Sequence, residues 1–444
     1  MTTEPIASTP GRRWRWETLA GGAILHEDAF RRLWLGRLCS HTALNAVLYT
    51  LLVLAVGSGD SSSIKSALFI SAYLLPTATL GTISGVLVDR LPKNLVLAAI
   101  NVARLGLMLV LLMSSTTNLW TVYGVALLIA TTSQFSGPAE ASALPQVVRP
   151  QQLTSANSAS SFGGLISQVV GFAVLAPMFL NTIGARPLFL AAAILFGASA
   201  GFFLTIHILG EKHVDLDSTV DAVRDVRNQF AQAWERLTHD MGAYMAVIIT
   251  VLASTASLVA VTLMPRFTQR VLDIPIQNAI FVFLPAALGI LLGLRLVQVL
   301  ERRVARGFLV GAGFVLLIAS FFCLALVVPF GGMLAGATSM SDTAARIAVT
   351  IGFSTAAAFS FSVLGVSSRS LVHERIPNEY QGRVFAAQVV LTNLASIPPI
   401  LLAGLLSALL GVQIVLAATM IVLTAVALWA VAQASLRSTA NADA

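Results

Sequence analysis

Three polar side chains near the start of the chain are spaced as on one face of a helix. His41, Asn45 and Tyr49 lie four residues apart within an apolar stretch, and residues at i, i+4 and i+8 share one side of a helix. A histidine can exchange a proton near neutral pH, and an amide or phenol can hydrogen-bond a ligand. The pattern indicates either a polar, proton-binding site or a histidine that only hydrogen-bonds to a neighbouring helix.

Arg104 is the only Asp, Glu, Lys or Arg near the middle of a long apolar stretch. A charge in such a position is costly, and it is usually functional or paired. Arg104 and His41 are therefore candidates for coupling to a proton or for contact with a ligand. The alternative for Arg104 is a structural role in helix contacts or in an ion pair.

Six amide side chains also interrupt apolar stretches. Each could hydrogen-bond a ligand or, equally, a neighbouring helix. They are Gln134, Gln168, Gln277, Asn278, Gln388 and Asn393.

The sequence lacks the residue sets that are typical of enzymes. It contains no Walker A motif, no Cys/His cluster with metal-ligand spacing and no nucleophile–His–acid arrangement among its 6 His. We expect no enzyme activity, no cofactor and no resident metal.

Composition sets the class of protein. Of 444 residues, 57% are apolar and 11% are charged, whereas a soluble domain carries about 25% charged residues. The mean hydropathy is +0.84. These values predict a polytopic integral membrane protein, with the lipid bilayer as its first partner.

Twelve apolar stretches are long enough to cross a bilayer, which takes about 20 residues in a helix. Continuous apolar runs exclude a β-barrel, whose strands alternate in polarity. The prediction is an all-α fold of twelve transmembrane helices, in which the ends of the fourth and tenth run into polar sequence. The spans are 35–57, 65–88, 95–114, 119–138, 158–180, 187–209, 244–265, 276–298, 307–329, 344–368, 384–408 and 412–434.

The distribution of Lys and Arg predicts the orientation. If both termini are cytosolic, 20 of the 27 Lys and Arg fall on the cytosolic side, as the positive-inside rule requires. The net charge of +7 then reflects the basic residues on the cytosolic side of the membrane, and we expect no nucleic-acid partner. Five lie outside (Lys65, Arg186, Arg266, Arg270 and Arg346), and two (Arg104 and Arg295) lie in or at the end of spans.

The spans divide the chain into two halves. We predict a cytosolic tail with an interfacial segment over 1–34, bundles of six helices over 35–209 and 244–434, and a short tail over 435–444. The linker, 210–243, has apolar residues every three or four positions and so contains an amphipathic helix. That helix lies along the membrane surface or, alternatively, docks a partner.

The two halves show weak internal similarity, as expected for two parallel repeats that form pseudo-symmetric bundles. A constant offset of 227 relates Leu144 and Pro150 to Leu371 and Pro377. The end of the second span recurs at the end of the eighth, where Leu80, Gly81 and Gly85 correspond to Leu288, Gly289 and Gly293.

The loop after the second span resembles a known signature. The run from Gly85 through Asp89, Arg90 and Lys93 to Leu97 is similar to that of the major facilitator superfamily, Gly-x-Leu-Ala-Asp-Arg-x-Gly-Arg-Lys-x-x-Leu. The resemblance implies a transporter with a central cavity between two halves. In this loop, Gly85 would allow neighbouring helices to approach closely, and Arg90 and Lys93 would hold the loop at the anionic cytosolic face of the membrane.

Three further segments resemble one exporter branch of that superfamily, which contains enterobactin exporters, macrolide efflux pumps and lysophospholipid transporters. They are the start of the first span (30–37), the loop between spans four and five (137–158) and the loop after span ten (375–385), which contains Arg383.

The resemblance also implies roles for the candidate residues. It places His41, Asn45, Tyr49 and the six amides on spans that line the cavity. Glu140, just beyond the fourth span, would lie near the signature loop and form a charge relay with Asp89, Arg90 and Arg369 that holds the cytosolic side shut. No carboxylate is expected deep in a span.

Departures from the branch pattern weaken the case for proton-coupled antiport. The Gly-Asp pair of span one is absent, the span-five antiporter signature survives only as Gly163-Gly164 and Gly171-Phe172, and Asn101 stands where an acid is expected.

We therefore expect a secondary-active exporter of amphipathic small molecules, drug-like or siderophore-like, in the bacterial cytoplasmic membrane. It would work by alternating access, with protons as an open second partner, and a monomer is typical of the family. The alternatives are a transporter of lysophospholipid or other lipid and a non-transporting sensor derived from the fold.

Overall fold

The computed structural model describes residues 24–57, 62–114, 118–206, 234–235 and 237–442. In these ranges twelve long helical segments form two bundles of six, which confirms the predicted all-α fold. The N-terminal bundle consists of α1 (Asp28–Val56), α2 (Ser62–Asp89), α3 (Lys93–Met113), α4 (Leu119–Val147), α5 (153–182) and α6 (Ala185–Leu204). The C-terminal bundle consists of α7 (Met241–Arg270), α8 (Ala286–Leu300), α9 (Arg306–Ala325), α10 (Asp342–Arg375), α11 (Asn378–Leu410) and α12 (Val412–Ala442).

Ten of the described helices are long and apolar enough to cross a membrane. Of the other two, α4 has a polar end and α8 is short. The short helix Ala279–Phe283 precedes α8 and extends it. A further short helix, Val327–Ala337, follows α9. Most of the predicted linker over 210–243 and most of the predicted tail over 1–34 lie outside the described residues.

Side chains and glycines fix where the helices begin and end. Asn118 and Asp240 accept hydrogen bonds from backbone N–H groups in the first turns of α4 and α7, which have no partner within the helix. Gly184 and Gly411 adopt positive φ angles of 90° and 89°, which favour glycine. These two residues allow α5 to turn into α6 and α11 into α12 within very few residues.

Two glycines bring α8 against α10. A Cβ atom on Gly289 would overlap the carbonyl oxygen of Thr355, and one on Gly293 would lie 2.8 Å from the carbonyl oxygen of Phe359. Small residues at such spacing allow the two backbones to approach closely.

The corresponding glycines of α2 do not have this role. A Cβ on Gly85 would have no heavy atom within 4 Å, so the expectation that Gly85 allows close helix approach is wrong for this conformation. In the N-terminal half, α2 instead contacts α4 through longer side chains, such as Gln134, whose Nε2 donates to Thr77 Oγ1 at 2.8 Å.

The two halves contact one another at one end of the bundle. We call this end the closed face; the helices that meet there end or begin at residues 56 and 62, 182 and 185, 270 and 276, and 410 and 412. We call the opposite end the basic face; the helices there end or begin at residues 89 and 93, 147 and 153, 300 and 306, and 375 and 378. Hydrogen bonds between the halves at the closed face join Tyr49 Oη to the carbonyls of Ile276 (3.0 Å) and Gln277 (3.3 Å), Ser66 Oγ to the carbonyl of Thr262 (2.6 Å), and Asn181 to Asn278 (3.0 Å).

Helices α2 and α11 show the difference between the two faces. Near the closed face, a Cβ on Gly404 of α11 would lie 2.5 Å from the Ala67 Cβ and 2.9 Å from the Ser63 carbonyl oxygen of α2. Near the basic face, the space around Gly85 is open and Asp89 is exposed. The halves are therefore tightly joined at the closed face and apart around Gly85.

We predict that Gly289→Val destabilises the protein, because the new side chain must displace the α10 backbone. Overfilling of this kind costs about 1–3 kcal/mol, and the change should lower the thermal unfolding midpoint of the detergent-purified protein. Gly106→Ala is the matched control, since a Cβ there meets nothing within 4 Å. An unchanged midpoint for Gly289→Val would contradict close α8–α10 contact.

Candidate functional site

A buried carboxylate joins α1 to α4. Glu140 is 5% exposed, and its Oε2 accepts a hydrogen bond from Arg37 Nε at 2.9 Å. His41 Nε2 lies 3.0 and 3.1 Å from the two carboxylate oxygens, and Ser136 Oγ donates to Oε1 at 3.0 Å. Both carboxylate oxygens thus have partners, two of which lie on α1. We call Arg37, His41, Ser136 and Glu140 the ionic cluster.

The ionic cluster corrects two expectations. Helix α4 continues to Val147 instead of ending near residue 138, so a carboxylate does lie buried within a helix of the bundle. Glu140 has its cationic partners on α1, and not in the signature loop or at Arg369. Asp89 and Arg369 are both exposed, and the ion pairs that the described residues show for Glu140 are with Arg37 and His41.

Arg104 is held by hydroxyl groups. The side chain is 1% exposed and donates from Nε to Thr132 Oγ1 (3.2 Å), from one terminal nitrogen to Ser40 Oγ (3.1 Å) and from the other to Ser133 Oγ (2.9 Å). Its guanidinium carbon also lies 5.9 Å from the centre of the Phe196 ring, within the range of a cation–π contact. These partners pair the guanidinium without a carboxylate at salt-bridge distance among the described residues.

The ionic cluster and Arg104 form one polar region in the N-terminal bundle. Helix α1 contributes to both within two turns, through Arg37, Ser40 and His41, and Arg104 interacts electrostatically with Glu140. Arg104 and Glu140 are buried, whereas Arg37 and His41 are partly exposed. Such a region is expensive to desolvate, which marks it as the strongest candidate site in the described residues.

His41 has a path to solvent. Its side chain is 35% exposed, and a cavity of about 30 Å³ lies beside it between α1 and α5, lined by Trp34, Arg37 and Ser160 among others. That space is sufficient for a water molecule. Of the cluster's titratable groups, His41 is therefore better placed than Glu140 to exchange a proton with water.

Helix α5 fits closely against α1 beside this site. A Cβ on Gly163 would lie 2.7 Å from the Trp34 indole nitrogen, and one on Gly171 would lie 2.6 Å from the Thr42 carbonyl oxygen and 2.7 Å from the Asn45 Cβ. A π-helical stretch, Val169–Leu175, interrupts the α-helix at this point, as is frequent near functional sites. Asn45 is thus an α1–α5 contact residue.

The remaining polar candidates do not converge on one cavity. Tyr49, Gln277 and Asn278 lie at the closed face, where they join the two halves. Gln168 is exposed, Gln388 is partly exposed, and Asn393 is buried. Their predicted role in substrate binding stays a prediction.

The sequence profile of the Major Facilitator Superfamily matches residues 33–399. The chain belongs to this superfamily. By family it is accordingly a multi-pass membrane transporter. A search of curated proteins found no match to the sequence.

Three solved structures show the same superfamily fold. A nucleoside transporter, NupG, is 12% identical with a TM-score of 0.68, covering 90% of this chain and 98% of that one. A bacterial homologue of the human lysosomal transporter Spinster, in an inward-facing conformation, is 12% identical with a TM-score of 0.63 and coverage of 94% and 97%. An auto-inhibited peptide transporter of the POT family is 13% identical with a TM-score of 0.64 and coverage of 93% and 96%. Identities this low establish the fold alone.

The superfamily signature loop has a different internal structure from the expected one. Lys93 is 7% exposed, and its Nζ donates to the carbonyls of Val88 (2.6 Å) and Leu91 (3.0 Å). It therefore stabilises the C-terminal end of α2, where a cation is favourable, and does not hold the loop against an anionic surface. In the partner loop, Arg383 lies over the Tyr380 ring at 5.7 Å.

Sequence reasoning did not identify the hydroxyls around Arg104 or the role of Arg37. Arg37 and His41 are four residues apart and so share a helical face, a signal that could have identified α1 as the partner of a buried acid. The serines and threonines carry no such signal, because hydroxyls are common throughout the apolar spans.

We predict that Glu140→Gln lowers stability by about 2 kcal/mol. Breaking a fully buried ion pair costs about 3–5 kcal/mol, and partial exposure of Arg37 and His41 reduces the loss. Thermal unfolding of purified protein measures the effect, and adding Arg37→Gln to Glu140→Gln should recover part of it. The control is Asp28→Asn, which makes the same charge change in an exposed pair with Arg31; an equal loss there would argue against a special role for the ionic cluster.

Proposed function

We propose that the protein is a proton-coupled secondary exporter of amphipathic small molecules that works by alternating access. The observation that carries the proposal is the ionic cluster, in which a buried carboxylate joins two helices and a neighbouring histidine reaches solvent. Buried ionisable groups in membrane helices are costly and are retained where they serve ion or substrate movement. The bacterial cytoplasmic membrane is the proposed location.

The distribution of basic residues supports a cytosolic basic face, with both termini in the cytosol. In that orientation the conformation is open to the cytosol, because the halves are joined at the closed face and apart around Gly85. A substrate would enter from the cytosol or the inner leaflet, and the signature loop with Gly85, Asp89, Arg90, Arg369 and Arg383 would close behind it.

Protonation gives the ionic cluster a way to affect the helices. The groups that contact the Glu140 carboxylate are Arg37 and His41 from α1 and Ser136 from α4. A proton bound by His41 would place an opposite charge beside the carboxylate and strengthen the link between α1 and α4, and its release would weaken that link. Proton binding would thereby change which arrangement of the two halves is favoured.

We expect the protein to lower the accumulation of a lipophilic cationic dye in a drug-sensitive bacterial host. A protonophore should abolish the difference, and Glu140→Gln should reduce the efflux rate at least tenfold while Asp28→Asn leaves it unchanged. Dye fluorescence in cells with equal membrane levels of each variant measures the rate. Efflux that persists with the protonophore would overturn proton coupling, and the absence of efflux for a panel of dyes would overturn drug export.

The two glycines on α2 and α11 should have opposite effects on the conformation. Gly404→Val places atoms against Ala67 and Ser63, and it should open the closed face. At Gly85 an added Cβ has no heavy atom within 4 Å in the present conformation, and Gly85→Val should hinder closure of the basic face. Thiol labelling of single cysteines placed at each face would measure accessibility; identical patterns for both variants would contradict this gating scheme.

A further inference from the structure

The C-terminal bundle contains an apolar cavity of about 320 Å³ that is separate from the ionic cluster. Residues of α7, α8, α9 and α10 and the first turn of α12 line it. Two of the described lining residues have polar side chains, Ser257 and Ser354. Their hydroxyls donate to the carbonyls of Ala253 (3.0 Å) and Ile351 (3.1 Å) in their own helices.

The satisfied hydroxyls restrict the chemistry of an occupant. A charged or strongly polar group in the cavity would lose its water without gaining a partner, which costs several kcal/mol. A hydrocarbon loses nothing in this way and gains contact with the aliphatic and aromatic walls, which include Phe267, Phe321 and Phe361. The cavity therefore favours the apolar part of a ligand.

The cavity exists because α8 is held mainly by α10. The Gly289 and Gly293 contact fixes α8 against α10, and α8 packs much less on α7. Between α7 and α8, Val261 and Ile290 line the cavity and are 45% and 41% exposed. Their exposure indicates that the cavity opens between α7 and α8 at this point, which we call its mouth.

The volume limits how much hydrocarbon can enter. A methylene group occupies about as much space as a water molecule in the liquid, about 30 Å³. The cavity accordingly holds one chain of about ten carbons and not two.

We propose that this cavity binds the alkyl chain of a single-chain amphipath, with the polar head group left outside the mouth. The proposal rests on the proposed export function and assigns its substrate class, amphipaths with one alkyl chain. A lysophospholipid and an alkyl-chain drug or surfactant share this chemistry.

Photolabelling tests the site directly. The purified protein in lipid nanodiscs is illuminated with lysophosphatidylcholine that carries a diazirine at the end of its acyl chain, and the labelled peptides are mapped by mass spectrometry. We expect labels within 257–267 and 354–361. In a competition series of unlabelled lysophosphatidylcholines, competition should strengthen with chain length and level off near ten to twelve carbons.

Matched alanine variants separate occupancy from general damage. Ala286 and Ala358 line the cavity, whereas the neighbouring Ala287 does not. Ala286→Phe and Ala358→Phe should reduce labelling at least tenfold, while Ala287→Phe should leave it unchanged. Tryptophan-detected thermal unfolding confirms that each variant is folded.

Labels confined to lipid-facing residues, or labelling that is equal in all three variants, would overturn the proposal. Labelling by a diazirine phospholipid with two chains but not by the single-chain probe would also overturn it, because the occupant would then be bilayer lipid. A single-chain alkylammonium probe that competes equally well would support the chain, and not the head group, as the recognised part. Labelling reports occupancy and not movement, so its failure is distinct from a failure of dye efflux.

Discussion

A charge inside a membrane bundle must find its partners within the protein, because hydrocarbon offers none. In the N-terminal half, Glu140 contacts Arg37 and His41, and the Arg104 guanidinium donates hydrogen bonds to three hydroxyl groups. The interaction between Glu140 and α1 is the one on which the rest depends, since it fixes α1 against α4. If that carboxylate were neutral, Arg37 would lose its ion-pair partner at a position where it is only partly exposed.

The two halves use the same helices for different chemistry. In the C-terminal half, α7 and α10 are joined by a neutral pair, in which Thr250 Oγ1 donates to Ser368 Oγ at 2.7 Å, where α1 and α4 have an ion pair. The interior between α7, α8 and α10 is an apolar cavity. The two halves thus share a six-helix arrangement, while buried ionisable groups lie in one half and an apolar cavity lies in the other. That division would allow a proton and an apolar ligand to be bound at separate places in one transporter.

Sequence patterns were sufficient for the helices and the family, because length, hydropathy and the signature loop are local properties. They were insufficient for the contacts of individual side chains, which depend on the helix that lies opposite. Glu140 was assigned to the loop region because α4 becomes polar after residue 138, yet its partners on α1 allow the helix and its burial to continue. Gly85 and Lys93 are the residue types that the signature requires. The open space around Gly85 and the carbonyl groups around Lys93, however, depend on the tertiary arrangement.

The polar face of α1 shows how one sequence pattern can serve three contacts. His41, Asn45 and Tyr49 were interpreted as one site, whereas His41 meets Glu140, Asn45 lies against Gly171 of α5, and Tyr49 donates to the C-terminal half. Eight residues of helix separate the first contact from the third by about 12 Å. Because a helix is stiff over that length and α5 fits closely along it, a displacement of α1 at the ionic cluster would also shift Tyr49 at the closed face. The polar face of α1 thus connects the ionic cluster to the contact that joins the two halves.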